Sequence, residues 1–236
     1  MSNRVFVNYA HRGASEYLPE NTMLAFYTGI YMGANGIETD VQRAKDGTLV
    51  LFHDDTLKRV TGQAGSVADY TFAELQQFHV MRNGHVDKIV ALEDFLAHFS
   101  FRDLTFAIEL KGAGVEKDTA DLLRKYHMEK KAVVTSFQLD YLTAFRRYAP
   151  EFAIGYLTSD SDDATFAALK ELGAEEYCPE AHTLTPELVQ KWHEEGFRVR
   201  AWGVYNPDLM RHAYACGVDG MTVNFPDLLT THIRNG

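Results

Sequence analysis

The sequence predicts an α/β protein, a closed (β/α)8 barrel of the TIM type with a short insertion after the second strand. Short β-rich runs alternate with helical patterns almost from end to end, which is typical of a parallel sheet wound by helices. The chain has 236 residues, close to the roughly 250 residues of a barrel of this kind. We therefore expect one barrel domain over residues 1–236, with an open doubly wound sheet as the structural alternative.

The candidate strands are short runs rich in β-branched and aromatic residues, each followed by a helical pattern. They lie near residues 5–10, 36–41, 104–110, 132–136, 152–157, 175–178, 199–202 and 220–223. Eight strand–helix units fit a closed barrel better than an open sheet.

A further apolar run, residues 49–54, is folded back onto the second strand by an Asp-Gly turn at residues 46–47. A two-residue loop is the preferred form of this turn, and it places Asp40 directly opposite His53. A three-residue loop with a glycine bulge places His53 opposite Thr39 instead. We expect the two-residue loop.

Helix signals follow the same order along the chain. Asn21 is a candidate cap for a first helix over residues 22–32. Residues 56–90 then form an insertion with its own turns and a capping box, Thr71-x-x-Glu74. We expect this insertion to form a small subdomain beside the mouth of the barrel.

The composition excludes several classes of protein. The formal charge of −10 has the wrong sign for a protein that binds the phosphate backbone of nucleic acid. The sequence has no secretion signal and no apolar run near the roughly 20 residues that span a membrane. We therefore expect a cytoplasmic protein without a transmembrane segment; nothing in the sequence indicates an oligomeric state.

Acidic side chains gather where the predicted strands end, which is where barrels of this kind carry their sites. Glu38 and Asp40 are two residues apart on one strand and so share a face. Glu109 lies inside an apolar run, where burial is costly unless the carboxylate is paired or bound to a metal. This all-oxygen set predicts one divalent cation, Mg²⁺ first and Ca²⁺ as the alternative, rather than zinc.

Cationic residues and imidazoles surround these carboxylates. Arg12 and Lys111 beside a divalent cation would form a receptor for the oxygens of a phosphate ester. His11 and His53, with ordinary pKa values near about 6.5, are suited to general base and general acid catalysis around neutral pH. The alternative for Lys111 is a purely structural ion pair with Glu109.

Two further side chains each have two interpretations. Asp54 either orients His53 or caps the following turn. Trp202, near the end of the seventh strand, either packs in the core or forms a wall that contacts the substrate. We count Trp202 among the candidate substrate-binding residues.

Several short motifs occur in order along nearly the whole chain. They are His11-Arg12-Gly13-Ala14, Pro19-Glu20-Asn21-Thr22, Gly36-Ile37-Glu38-Thr39-Asp40-Val41, Asp46-Gly47, His53-Asp54, Glu109-Leu110-Lys111 and Gly217-Val218-Asp219-Gly220. In this combination the chain resembles the glycerophosphodiester phosphodiesterase family. The resemblance implies a TIM-type barrel, a divalent metal, and hydrolysis of small glycerophosphodiesters to glycerol 3-phosphate and an alcohol.

The resemblance also implies a role for each matched residue. These are the catalytic histidines His11 and His53, the metal carboxylates Glu38, Asp40 and Glu109, and the phosphate ligands Arg12 and Lys111. In the mechanism that it implies, the neighbouring glycerol hydroxyl attacks phosphorus, the alcohol leaves, and water opens a cyclic phosphate. We expect His11 to act as the base and His53 as the acid.

The chain departs from the family pattern at two positions. Gly203 follows Trp202 where threonine is common, and Asn224 stands where aspartate is common. We expect these changes to affect substrate preference rather than the core chemistry. The functional alternatives are a phosphodiesterase of the lysophospholipase D type and a barrel that binds phosphodiesters without cleaving them.

Overall fold

The structure, a computed structural model, describes residues 5–159 and 163–235. Its strands are β1 (Val7–His11), β2 (Gly36–Arg43), β3 (Leu49–Leu51), β4 (Val80–Arg82), β5 (His85–Asp87), β6 (Val90–Ala91), β7 (Thr105–Leu110), β8 (Ala132–Ser136), β9 (Ala153–Thr158), β10 (Glu176–Pro179), β11 (Arg198–Val204) and β12 (Gly220–Val223). Strands β1, β2 and β7 to β12 pair in parallel, and β1 pairs with both β2 and β12. The sheet is therefore a closed barrel, which confirms the predicted fold and excludes the open sheet.

Helices connect and flank these strands. They are α1 (Met23–Tyr31), α2 (Lys58–Thr61), α3 (Phe72–Leu75), α4 (Leu92–Phe99), α5 (Glu116–Lys125), α6 (Leu139–Tyr148), α7 (Asp163–Leu172), α8 (Pro186–Glu194), α9 (Pro207–Ala215) and α10 (Pro226–Asn235). No helix in the described ranges is both long enough and apolar enough to cross a membrane.

The cap of α1 differs from the prediction. Thr22, rather than Asn21, is the cap: its hydroxyl accepts a hydrogen bond from the amide of Ala25 at 3.3 Å. The Asn21 side chain instead donates to Asp40 at 2.9 Å and accepts from Thr39 at 2.7 Å. Contacts with Asp40 and Thr39 of β2, which the local sequence does not reveal, thus turn Asn21 toward the barrel.

Aromatic side chains fill much of the space between the barrel and its helices. Phe95 of α4 packs edge-on against Phe26 of α1 and Phe106 of β7, with ring centroids 4.8 and 5.8 Å apart. All three rings are fully buried, and each such burial contributes about 1.5–3 kcal/mol to stability. This packing holds α1 and α4 against β7, one of the two strands that carry the acidic residues.

The hairpin of β2 and β3 has the register that the sequence analysis kept as the alternative. The amide of Ala44 donates to the carbonyl of Thr48 at 2.8 Å, so the loop holds three residues, 45–47. The prediction that placed Asp40 directly opposite His53 is therefore wrong. The strand β3 ends two residues before His53, which lies outside the ladder.

The three-residue loop is held by contacts with the insertion. Gly47 takes a left-handed φ of +92°, which glycine adopts without strain. The carboxylate of Asp46 accepts hydrogen bonds from the amides of Thr48 at 3.2 Å and Phe72 at 3.0 Å. Phe72 opens α3, so a contact with a distant segment supports the three-residue turn over the two-residue form that the Asp-Gly sequence favours.

The segment that carries His53 is held by one side chain of β2. Gln42 donates to the carbonyls of Phe52, His53 and Asp54 at 3.0, 3.2 and 2.9 Å. This anchoring directs residues 52–54 along the mouth of the barrel after β3 has ended.

The insertion has a small apolar core of its own. Leu57, Val60, Leu75 and Val80 are buried there together with Phe52. The predicted capping box is present, because Thr71 and Glu74 each accept from the other's backbone amide. The core packs α2, α3 and the β4–β5 hairpin onto the segment that leads to His53.

Candidate active site

Three buried carboxylates meet inside the barrel. Glu38 and Asp40 share a face of β2, and Asp40 lies in register with Glu109 of β7. They are 3%, 0% and 6% exposed, and one oxygen from each lies within 4.8 Å of the others. The structure thus brings together all three residues that the sequence analysis assigned to a metal.

Crowding of negative charge changes the pKa values of these groups. Burial, followed by the charge of Asp40, raises the pKa of Glu109 to about 7 and that of Glu38 well above its ordinary value. Burial acts in the same direction on Asp40, but the positive charges of Arg12, His53 and Lys111 outweigh it and lower that pKa. The site therefore favours any positive charge placed among the three carboxylates.

One atom of this cluster marks where a cation would bind. The Oδ1 atom of Asp40 is buried and has no hydrogen-bond partner among the residues that the structure describes. Buried polar atoms are nearly always satisfied, so a bare carboxylate oxygen calls for an explanation such as an ion. Carboxylate oxygens are the ligands of hard divalent cations, and the donor set therefore fits Mg²⁺ or Ca²⁺.

Arg12 follows β1 in a left-handed conformation, with φ +54°. Its amide donates to the backbone carbonyl of Glu38 at 2.9 Å, and its Nε lies 3.2 Å from Asp40 Oδ2. The next residue is Gly13, where a Cβ atom would lie 2.4 Å from the backbone of Ala25. The tight turn that presents the guanidinium therefore requires glycine.

Lys111 lies at the other side of the cluster, with its Nζ 3.1 Å from Glu109 Oε1. It does not line the main cavity described below but an adjoining open depression, which it shares with His53 and Asp54. The ion pair with Glu109, which the sequence analysis gave as the alternative, is present, and Lys111 also lines a depression together with His53.

His11 ends β1 and is held by a residue that the sequence analysis did not assign to the chemistry. Its Nδ1 lies 2.5 Å from Asn224 Oδ1, and its Nε2 lies 3.8 Å from Glu38 Oε2. Because an amide oxygen only accepts hydrogen bonds, Nδ1 carries the proton and Nε2 has the free lone pair. Burial and then the charge of Arg12 lower the pKa of His11 to about 3, so the ring is neutral.

Asn224 therefore orients His11, whereas the sequence analysis expected it to influence only substrate preference. The same oxygen also accepts a hydrogen bond from Ser15 at 3.1 Å. The departure from the family pattern was the signal at this position, but the contact across the barrel could not be seen in the sequence.

His53 is oriented by its neighbour in the chain. Its Nδ1 lies 2.8 Å from Asp54 Oδ1, so the first of the two interpretations of Asp54 is observed. Burial would raise the pKa of Asp54, but hydrogen bonds from Arg59 and His53 outweigh it and lower the value to about 2. His53 thus faces a permanent carboxylate, which favours a proton on Nδ1.

A cavity of about 220 Å³ opens between the histidines and an aromatic wall. Trp202 belongs to this wall, which supports the substrate-contact interpretation over core packing. Its ring lies edge-on to Phe137 with centroids 4.9 Å apart, and its Nε1 donates to the carbonyl of Thr158 at 3.2 Å. Gly203 and Tyr205 continue the same side of the cavity.

Arg200 also lines the cavity, although the sequence analysis overlooked it. It is 2% exposed, and it donates from Nε to Glu176 at 3.1 Å and from Nη1 to Thr222 at 2.8 Å. Its charge acts to lower the pKa of Glu38. Arg200 stands two residues before Trp202 on β11, and the alternation of side chains along a strand could have placed both on one face.

A chain of ion pairs links the two sides of the mouth. Arg12 Nη1 contacts Glu20 at 2.8 Å, and Glu20 in turn contacts Arg59 at 2.7 and 2.8 Å. Arg59 also contacts Asp54, which holds His53. Glu20 lies in one of the sequence motifs without an assigned role, and Arg59 comes from the insertion; both were missed.

The chain is similar to known proteins along nearly its whole length. A model of the glycerophosphoryl diester phosphodiesterase family matches residues 11–228. The uncharacterized protein YqiK of Bacillus subtilis is 34% identical, over 96% of this chain and 98% of the relative. A glycerophosphodiester phosphodiesterase of Bacillus altitudinis is 32% identical, over 93% of this chain and 94% of the relative.

A solved structure shares the fold. It is that of an Oleispira antarctica phosphodiesterase in complex with the product sn-glycerol-3-phosphate, with a TM-score of 0.86. The identity is 24%, and the alignment covers 98% of this chain and 97% of the other.

Proposed function

Since the chain belongs to the glycerophosphoryl diester phosphodiesterase family, we propose that it hydrolyses glycerophosphodiesters with one divalent cation and two histidines. The resemblance that the motifs indicated is confirmed, and with it the assignment to a family of phosphodiester hydrolases. The observation that carries the proposed mechanism is the group of buried carboxylates Glu38, Asp40 and Glu109, with His11 and His53 at the same cavity.

The three carboxylates would hold the cation. The unpartnered oxygen of Asp40 and the all-oxygen donor set support this assignment, with Mg²⁺ expected and Ca²⁺ as the alternative. When bound, such a cation supplies charge neutralisation and attraction for phosphate oxygens. Arg12 and Lys111, both beside the cluster, would hold the remaining phosphate oxygens and stabilise the charge that develops on them.

His11 would act as the base. Its Nε2 has the free lone pair because Asn224 fixes the proton on Nδ1, and its low pKa keeps the ring neutral. It would accept the proton of the glycerol hydroxyl that attacks phosphorus, for which a neutral and oriented imidazole is required.

His53 would act as the acid. The carboxylate of Asp54 holds Nδ1, which leaves Nε2 to donate a proton to the leaving alcohol oxygen. In the second step the roles reverse, because water must lose a proton as it opens the cyclic phosphate. The products would be glycerol 3-phosphate and an alcohol, consistent with the product complex of the Oleispira protein.

The test is release of glycerol 3-phosphate from glycerophosphocholine, measured with added Mg²⁺ or Ca²⁺ and with excess chelator. We expect activity with metal and its loss in chelator. His11→Ala and His53→Ala should each lose at least about 100-fold in kcat, whereas His98→Ala on the outer face of α4 should not. Full activity in chelator would contradict the proposed metal requirement. Retained turnover in both histidine variants would contradict the catalytic roles proposed for His11 and His53.

Rates of cleavage of a lipid and of a small soluble substrate distinguish two possible enzymes. A lysophospholipase D-type enzyme would cleave lysophosphatidylcholine faster than glycerophosphocholine at equal enzyme concentration. Membership of an enzyme family argues against a barrel that only binds. A cytoplasmic location and a single domain over residues 1–236 stay predictions of the sequence.

A further inference from the structure

The insertion delivers one arginine to the mouth of the barrel, and we propose that this residue, Arg59, is a positioning residue for the proton transfer by His53. It would act through Asp54, which it holds in place from the side opposite to the imidazole. The inference rests on the proposed function, because it takes His53 as the donor of a proton to the leaving alcohol.

Arg59 makes an unusually complete set of contacts for a residue whose side chain is 48% exposed. Its Nε and Nη2 lie 2.5 and 2.8 Å from the two oxygens of Asp54. Its Nη1 and Nη2 lie 2.7 and 2.8 Å from the two oxygens of Glu20. The planar guanidinium thus grips two carboxylates in bidentate fashion, a geometry that lysine cannot reproduce.

The position of His53 explains why such a grip is needed. His53 follows the end of β3 and has no partner in the barrel ladder, unlike Glu38, which lies within β2. The Gln42 side chain holds its backbone, but the ring is held through Asp54 Oδ1. A carboxylate that rotated freely would let the imidazole turn with it, and catalysis loses rate when a reacting group is misplaced.

The local structure of the insertion fixes Arg59 itself. It lies on the short helix α2 between Leu57 and Val60, which are both buried in the apolar core of the insertion. These anchors hold the backbone on both sides of Arg59. Glu20, the second carboxylate that Arg59 contacts, is 8% exposed and also contacts Arg12. The guanidinium of Arg59 is therefore also held by a buried residue beside the barrel.

A purely structural role is the competing explanation. In that case Arg59 would only fasten the insertion to the barrel, and its loss would lower stability and slow every substrate alike. A positioning role predicts a loss that depends on whether the leaving group needs a proton.

The experiment compares two esters of glycerol 3-phosphate in the full chain with saturating Mg²⁺. Choline is an alkyl alcohol whose oxygen must be protonated as it leaves, whereas p-nitrophenol leaves as a stable anion. Opening of the cyclic phosphate uses His53 as the base for either ester, so the rate to measure is release of the alcohol in a single turnover, which reports the first step alone. For Arg59→Met we expect the rate of choline release to fall by about 10- to 100-fold, part of the contribution of a general acid. On the p-nitrophenyl ester we expect a loss of less than about threefold.

Two further variants sharpen this comparison. Arg59→Lys keeps the charge without the bidentate grip and should fall between the wild type and Arg59→Met. Arg82→Met is the matched control, because Arg82 belongs to the same insertion but pairs with Glu16 at 3.7 Å rather than with Asp54 or Glu20. It should leave both rates unchanged.

A double variant tests whether Arg59 acts on His53 through Asp54. If Arg59 acts through Asp54, the combination of Arg59→Met with Asp54→Asn should lose no more on glycerophosphocholine than Asp54→Asn alone. Additive losses, or equal losses on the two esters for both Arg59 variants, would overturn the inference.

His53→Ala with the same esters distinguishes failure of the proposed role of His53 from failure of the positioning role of Arg59. If His53→Ala loses both rates equally, the proposed role of His53 fails. If only His53→Ala depends on the leaving group, the positioning role of Arg59 alone fails.

Discussion

Replacing Glu109 with glutamine should make the metal-free protein more stable at neutral and alkaline pH. Burial and neighbouring negative charge raise the pKa of Glu109 from 4.5 to about 7. Below pH 4.5 the group is protonated in both the folded and the unfolded chain, so it has no effect on stability. Between pH 4.5 and 7 the folded state keeps a proton that the unfolded state has lost, and stability falls as the pH rises.

The magnitude follows from the size of this change. Each pKa unit corresponds to about 1.4 kcal/mol, so the ionised Glu109 costs on the order of 3 kcal/mol once the pH exceeds 7. Glutamine has nearly the same shape and carries no charge. In excess chelator we therefore expect Glu109→Gln to be more stable than the wild type by up to about 3 kcal/mol at pH 8, and nearly equal at pH 4.5.

Urea unfolding at several pH values, with chelator present, measures this difference. Glu171→Gln, on the exposed face of α7, is the matched control and should show no such trend. Saturating Mg²⁺ should stabilise the wild type more as the pH rises, because the cation replaces the proton, and should stabilise Glu109→Gln much less. The reasoning is refuted if Glu109→Gln is less stable than the wild type at pH 8 in chelator, or if the difference is independent of pH.

Four other substitutions probe the remaining parts of the site and the start of α1. Asn224→Ala should lower kcat by about 10- to 100-fold because His11 loses the acceptor that fixes its tautomer; an unchanged kcat in steady-state assays would show that the contact is dispensable. Trp202→Ala should raise KM several-fold with a smaller change in kcat, since it removes a wall of the cavity; a selective loss in kcat would contradict this. Asn21→Ala should weaken Mg²⁺ binding by about 10- to 100-fold in calorimetric titration, because it removes a donor to a metal carboxylate. Thr22→Ala should instead cost about 1 kcal/mol in urea unfolding and leave Mg²⁺ affinity unchanged, and the reverse pattern would contradict the observed cap.

The parts of the site that lie on barrel strands could be predicted from the sequence. Alternation along a strand places Glu38 and Asp40 on one face, and the fold class then brings Glu109 beside them. These inferences need only the direction of each strand and its place in the barrel, which hydrophobic patterns supply. The same alternation places Arg200 on the face of Trp202, which lies two residues later on β11.

The parts that depend on distant contacts could not be predicted. Asn21 and Thr22 are both cap residues by type, with asparagine the stronger, and in the structure the Asn21 side chain is engaged by Asp40 instead. Arg59 was one exposed-looking arginine in a polar stretch, and its partner Glu20 lies 39 positions earlier in the chain. Such pairs carry no local signal, because what selects them is the folded geometry.

The bond from Asp46 to the first turn of α3 has a consequence for the dynamics of the protein. It ties the β2–β3 loop to the insertion, so opening of the hairpin breaks a contact with the insertion. We expect the amides of residues 44–91 to exchange hydrogen as one cooperative unit rather than as separate loops. Fluctuations that unfold the insertion would then also displace His53 from its catalytic position. The carboxylates on the barrel strands would stay in place.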